Sequence, residues 1–133
     1  MANENHVPDE LRYTKDHEWA KLEGGKIRVG ITAFAVDQLG DITLVELPKV
    51  GTVIEEGKAF GTVESVKTLS DLFAPVSGKV AAVNDALAGS PELVNEGVYD
   101  KGWMIVIEPS DAGAFGKLLD AAAYKKVLEE SAH

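Results

Sequence analysis

At 133 residues with no cysteine, the chain has room for one domain with a real core, on the usual scale of roughly 100 to 200 residues per domain. It has no means of forming disulfides, thiolate metal sites, Fe–S ligation or a cysteine nucleophile. Thirteen lysines and arginines stand against 22 aspartates and glutamates, a formal charge of -9 at pH 7, so no phosphate-neutralising surface is expected and nucleic acid is not the expected partner.

The 45% of hydrophobic residues is ordinary for a globular protein. No apolar run approaches the roughly 18 residues of a membrane span, so the expectation is a soluble protein with no membrane partner. Met1 to Glu10 has neither the basic start and apolar core of a secretory signal nor the Arg-rich pattern of a transit peptide. The expected location is the cytoplasm, or the mitochondrial matrix if a presequence had been removed. Residues 1 to 11 carry no hydrophobic period and read as a loose lead-in, with a single domain over 12–133 and ordered structure starting near Arg12.

From there, Glu18-Trp19-Ala20-Lys21-Leu22-Glu23 and Lys26-Ile27-Arg28-Val29-Gly30-Ile31 alternate polar and apolar around Gly24-Gly25, which predicts a two-residue β-hairpin. Thr32 is placed to cap a two-turn helix over Ala33 to Leu39, and Gly40 suits the left-handed position that ends one. Short β-branched runs follow at 42–45, 52–54, 59–63, 69–73, 79–83 and 103–107, a spacing that predicts a small sandwich or barrel. Ser90 followed by Pro91 predicts a single helical turn with the proline at its first position. Asp120 caps a terminal helix over 121–130 whose Ala121, Tyr124, Val127 and Leu128 share the face that packs on the β core. Val50-Gly51-Thr52-Val53 and Ser77-Gly78-Lys79-Val80 form a faint internal echo, which suggests two quasi-symmetric halves.

Few residues point to chemistry. Of the three histidines, His6 and His133 lie near the ends and His17 reads as a strand-edge residue, so neither a helical metal motif nor a serine triad is available. Gly51 to Lys58 imitates a phosphate loop, but its glycine spacing is wrong, Ala59 replaces the Mg²⁺-binding hydroxyl, and Glu55 and Glu56 would repel phosphate; a strand-turn-strand is expected. What remains is Glu64-Ser65-Val66-Lys67-Thr68-Leu69-Ser70-Asp71 between two β-rich halves. Lys67 is expected at an exposed hairpin tip, with Val63, Val66 and Leu69 anchoring the strands and small hydroxylated neighbours leaving the ammonium open to a modifying enzyme.

The stretch Glu64 to Gly78 resembles the lipoyl-lysine segment of the glycine cleavage system H protein family. Other pieces fall in the family's order: Tyr13 to Trp19, Val29-Gly30-Ile31-Thr32, Gln38-Leu39-Gly40-Asp41-Ile42, Val45-Glu46-Leu47-Pro48 and Gly102-Trp103. The departures are Thr68-Leu69 after the lysine, where smaller residues are common, and Val98-Tyr99-Asp100 in place of Pro-Tyr-Gly.

The resemblance implies a mainly β, lipoyl/biotinyl-carrier type barrel-sandwich hybrid with short helices and a C-terminal helix. It implies lipoate in amide linkage to Lys67, on a non-catalytic shuttle that carries the aminomethyl group of glycine. The implied partners are a pyridoxal-phosphate glycine decarboxylase, a tetrahydrofolate-dependent aminomethyltransferase, a flavin (FAD) dihydrolipoyl dehydrogenase and a lipoate-attaching enzyme, with the carrier itself a monomer. It puts Glu18 and Asp71 at positions that face the folded-back arm. The rival readings are a relay that passes lipoyl groups to other 2-oxoacid dehydrogenase complexes, a biotin carrier, disfavoured because Val66 and Thr68 stand where methionines flank such lysines, and a stand-alone enzyme.

Overall fold

The computed structural model describes residues 7–111 and 113–131. In chain order the elements are β1 (Arg12–Tyr13), β2 (Glu18–Glu23), β3 (Lys26–Ile31), α1 (Ala33–Leu39), β4 (Ile42–Glu46), β5 (Val53–Ile54), β6 (Ala59–Ser65), β7 (Leu69–Phe73), β8 (Gly78–Val83), α2 (Ala86–Gly89), α3 (Leu93–Glu96), β9 (Ile105–Pro109) and α4 (Ala121–Ser131). They form a six-stranded sheet in the order β1-β2-β3-β9-β8-β5 and a three-stranded sheet in the order β4-β6-β7, with every pairing antiparallel. This is the expected barrel-sandwich class.

Local chemistry sets each element where the pattern put it. Gly24 and Gly25 turn the β2–β3 hairpin at φ of 56° and 80°, left-handed angles that a Cβ resists and that match the twist of the strands. The Thr32 side chain accepts the Ala35 N–H at the start of α1, and Gly40 ends it at φ 80° with its N–H on the Val36 carbonyl. The two halves of the sequence echo lie side by side, Val53 opposite Lys79 and Ile54 opposite Gly78.

Two apolar clusters hold the sheets. Ile27, Val29, Val63, Leu72, Val80 and Ile107 lead the first, between the sheets, each buried side chain contributing about 1.5–3 kcal/mol. The second collects Tyr13, Trp19, Ala121, Tyr124 and Leu128, with the Tyr13 and Tyr124 rings stacked at 4.7 Å. Asp120 accepts the Ala123 N–H at 2.8 Å and so starts α4, which seals this cluster.

Four expectations are corrected. Packing begins by Val7, not near Arg12: Val7 and Leu11 are buried in the second cluster, and the Tyr13 hydroxyl donates to the Pro8 carbonyl at 2.6 Å. Met1 to His6, the rest of the lead-in, lie outside the described residues. Strand β9 starts at Ile105, because the Trp103 carbonyl is taken by the Asn84 side chain at 2.8 Å instead of a ladder. The turn after Pro91 begins at Leu93 with no side-chain cap, Pro91 supplying only the carbonyl for the Val94 N–H. Helix α2, one turn long, has no counterpart in the sequence reading.

Gly30 lies opposite Trp19, and a Cβ there would sit 2.6 Å from the buried indole. Gly30→Ala should cost about 1–3 kcal/mol by overpacking a ring that cannot move, read as a lower urea midpoint at unchanged slope.

Candidate functional site

The β6–β7 hairpin projects Lys67 into solvent from a tip of three residues, and the tip is braced by hydrogen bonds local to its sequence. The buried Ser65 hydroxyl accepts the N–H groups of both Lys67 and Thr68 at 3.2 Å, and the Ser65 N–H donates to the Thr68 carbonyl at 2.8 Å. The tip is also docked sideways: the Val66 N–H donates to the Asp41 carbonyl at 3.1 Å. The Lys67 stem runs over the end of α1, its Cε 3.5 Å from where a Cβ on Gly40 would be.

The strand anchors differ from those expected. Val63 is buried, but Val66 is 67% exposed and Leu69 61%, because Val66 sits in the turn and Leu69 pairs with Glu64 on the outer face. Ser65 does the anchoring. The unusual Thr68-Leu69 pair therefore lies on the surface beside Lys67. At the other departure the Val98 carbonyl accepts the Trp19 indole N–H at 2.9 Å and the Tyr99 hydroxyl accepts the Ala33 N–H at 3.0 Å.

Beside the hairpin lies a cleft of about 170 Å³, lined by Phe34, Ala35, Gln38 and Leu39 of α1, by Ser70, Asp71 and Leu72 of β7, and by His17 and Glu18. Both Glu18 and Asp71 border this cleft, Glu18 from inside the fold and Asp71 from the solvent-exposed edge strand. Their environments are unlike. Asp71 is exposed, opposite Thr62 in a row with Glu46 on the outer face of its sheet. Glu18 is 2% exposed; its two oxygens accept the Thr14 hydroxyl at 2.6 Å and the Phe73 N–H at 3.3 Å. Burial pushes its carboxyl up to about 7, against the pull of those two donors. Among the described residues, the ion pairs join other side chains and none reaches Glu18.

His17 takes a left-handed φ of 69° in the turn that leads into Glu18. Its Nδ1 lies 2.8 Å from the Tyr124 hydroxyl, which is 2.7 Å from the Thr32 hydroxyl, and burial holds its imidazole below its usual pKa. It is a braced cleft wall rather than a strand edge. Thr14, Ser65 and the α1 wall escaped the sequence reading. Thr14 had a usable signal, a hydroxyl placed to accept the Asp16 and Glu18 N–H groups within its own turn.

Comparison with known proteins agrees with this geometry. The family model described as glycine cleavage H-protein matches residues 11–131. The chain belongs to the glycine cleavage H-protein family. It is 55% identical to the glycine cleavage system H protein of Halalkalibacterium halodurans over 126 residues, covering 95% of this chain and 98% of that one. To the Bacillus subtilis protein of the same name it is 54% identical over 124 residues, with 93% and 98% covered. The crystal structure of a glycine cleavage system H protein from Mycobacterium marinum superposes with a TM-score of 0.83 at 38% identity, covering 96% of this chain and all of that one. The protein is the lipoyl-carrier shuttle of the glycine cleavage system, a non-catalytic component that works with the enzymes of that system. The lipoate-relay alternative gains nothing from these matches. Among the described residues, no helix is long and apolar enough to cross a membrane.

Glu18 gives stability a pH dependence. Between its ordinary 4.5 and its folded value of about 7, the unfolded chain ionises while the folded chain keeps the proton, so stability falls as pH rises through that window. Relative to Glu18→Gln, the wild type should lose on the order of 2 kcal/mol between pH 5 and pH 8, measured by urea unfolding at the two values. Equal pH profiles would show that this carboxyl is not held neutral.

Proposed function

We propose that Lys67 is the lipoate attachment site, and that the arm folds back into the neighbouring cleft, where Glu18 and Asp71 receive the ammonium of the aminomethyl cargo. The observation that carries this reading is an exposed lysine on a braced tip beside a cleft lined by a buried carboxyl without a cationic partner among the described residues. Bound to Lys67, lipoate supplies a disulfide that opens as it takes the aminomethyl group from glycine, on a long flexible tether. The partners under this reading are the decarboxylase that loads the arm, the tetrahydrofolate enzyme that unloads it, the flavin enzyme that reoxidises it and the enzyme that attaches it; the carrier acts as a monomer.

The chain's own residues do the rest. Ser65 and the Asp41 carbonyl fix where the lysine amine stands, so an attaching enzyme meets one geometry and not an ensemble. Phe34, Leu39 and Leu72 keep water from the cleft wall, and His17, bonded to Tyr124, lines it without adding a positive charge. Glu18 gives up its proton when an ammonium arrives, and the resulting charge-assisted hydrogen bond is worth about 1.5–3 kcal/mol in this desolvated position. Asp71, exposed, adds at most about 1 kcal/mol.

Lys67→Arg should fold normally and gain no lipoyl mass in a lipoate-competent host, because guanidinium offers no nucleophilic amine; a lipoyl increment on that variant would put the site elsewhere. In loaded carrier isolated from its partners, Glu18→Gln should speed ammonia release by about tenfold, the equivalent of about 1.4 kcal/mol, and Asp71→Asn by about twofold. Unchanged decay in both would reject the sheltering role.

A further inference from the structure

We infer that Asn95, on α3, is a positioning residue for the Lys67 hairpin, because it clamps the turn against which the hairpin tip is docked. Its side-chain amide is used at both ends: Nδ2 donates to the Gly40 carbonyl at 3.0 Å, and Oδ1 accepts the Ile42 N–H at 2.9 Å. Those two groups bracket Asp41, whose carbonyl accepts the Val66 N–H of the tip. The clamp acts where the backbone needs help. Gly40 is left-handed, and the β4–β6 ladder slips out of register between Ile42 and Leu44, so strand pairing alone does not fix the direction of the Asp41 carbonyl. Asn95 fixes it, and the hairpin angle follows from it.

The functional consequence rests on the reading of Lys67 as the attachment site. In attachment, the Lys67 amine attacks the acyl carbon of lipoyl adenylate made from lipoate and ATP; the C–N bond forms as the acyl–oxygen bond to AMP breaks, and the amine loses a proton. An attaching enzyme must first dock the tip. If the tip samples several angles, only the competent fraction binds, and the apparent dissociation constant rises by the reciprocal of that fraction while the chemical step is unchanged. Loosening the clamp therefore raises KM for the carrier and leaves kcat alone, whereas a loss of general stability in a chain that remains folded moves neither.

Asn84 is the matched control, since its Nδ2 also makes two backbone bonds, to the Lys101 and Trp103 carbonyls at 3.0 and 2.8 Å, and neither touches the hairpin or its seat. The test takes the full unmodified chain with a purified lipoate ligase, lipoate and Mg-ATP, follows the lipoyl mass at Lys67, and separately measures amide hydrogen exchange at Val66. Asn95→Ala should raise KM for the carrier about tenfold with kcat within about twofold, and speed Val66 exchange about tenfold. Asn84→Ala should leave both near wild type. Should Asn95→Ala fail to fold, Asn95→Asp keeps the acceptor for Ile42 but sets a carboxylate oxygen against the Gly40 carbonyl, and should shift the same two readouts in the same direction. Equal KM values for the Asn95 and Asn84 variants, or unaltered Val66 exchange in the Asn95 variants, would overturn the inference. If the wild-type chain takes no lipoate at Lys67, the attachment reading fails instead, and the exchange measurement still decides whether Asn95 holds the tip.

Discussion

The Glu18 carboxyl is the contact on which the arrangement of the cleft depends. It lies at the start of β2, a strand of the six-stranded sheet, and accepts the N–H of Phe73 on β7, the outer strand of the three-stranded sheet. One buried side chain thus ties the two sheets together beside the hairpin. Burying an ionisable group with only two neutral donors is costly, and burial accordingly pushes its carboxyl up to about 7, so that it keeps its proton well above the ordinary carboxylate range. Under the proposed function, the carboxyl is held ready for a cation that comes and goes.

Around it the structure separates what must be rigid from what must move. The tip is hydrogen-bonded to Ser65 and to the Asp41 carbonyl, with the Asn95 amide bonded on either side of Asp41, while the moving part is the tether that Lys67 would carry. Helix α1 serves both ends: its residues wall the cleft, and the lysine stem passes over Gly40 at its end. The second apolar cluster braces the cleft from behind, since Tyr124 on α4 reaches through to both His17 and Thr32. Local stiffness of this kind lowers the ordering cost each time a partner docks.

The features legible in the sequence are those decided by a few neighbouring residues. Gly24-Gly25, the Thr32 cap, Gly40 and the Asp120 cap each impose one backbone conformation, and the elements formed where they were expected. Lys67 was legible for the same reason, as the apex of a hairpin. What escaped depends on which face a residue turns to or what lies across the fold. Leu69 faces solvent because its partner Glu64 does, and the burial of Glu18 is set by Thr14 and Phe73, the latter 55 residues away. Asn95 reads as one polar residue in a short helix until Gly40 and Ile42 close around it. Val7 and Leu11 looked like part of a polar lead-in because their partners, Tyr13 and α4, come together only in the folded chain.

The most direct test of the account is the titration of the Glu18 carboxyl carbon by NMR in ¹³C-glutamate-labelled protein, first without cargo and then with the aminomethyl group loaded. A midpoint near 7 without cargo, falling well below that on loading, is the predicted result, since a docked ammonium favours the ionised carboxylate. An identical midpoint in the two states would mean that the cargo does not reach Glu18, and the cleft would then be a feature of the fold rather than the shelter of the arm.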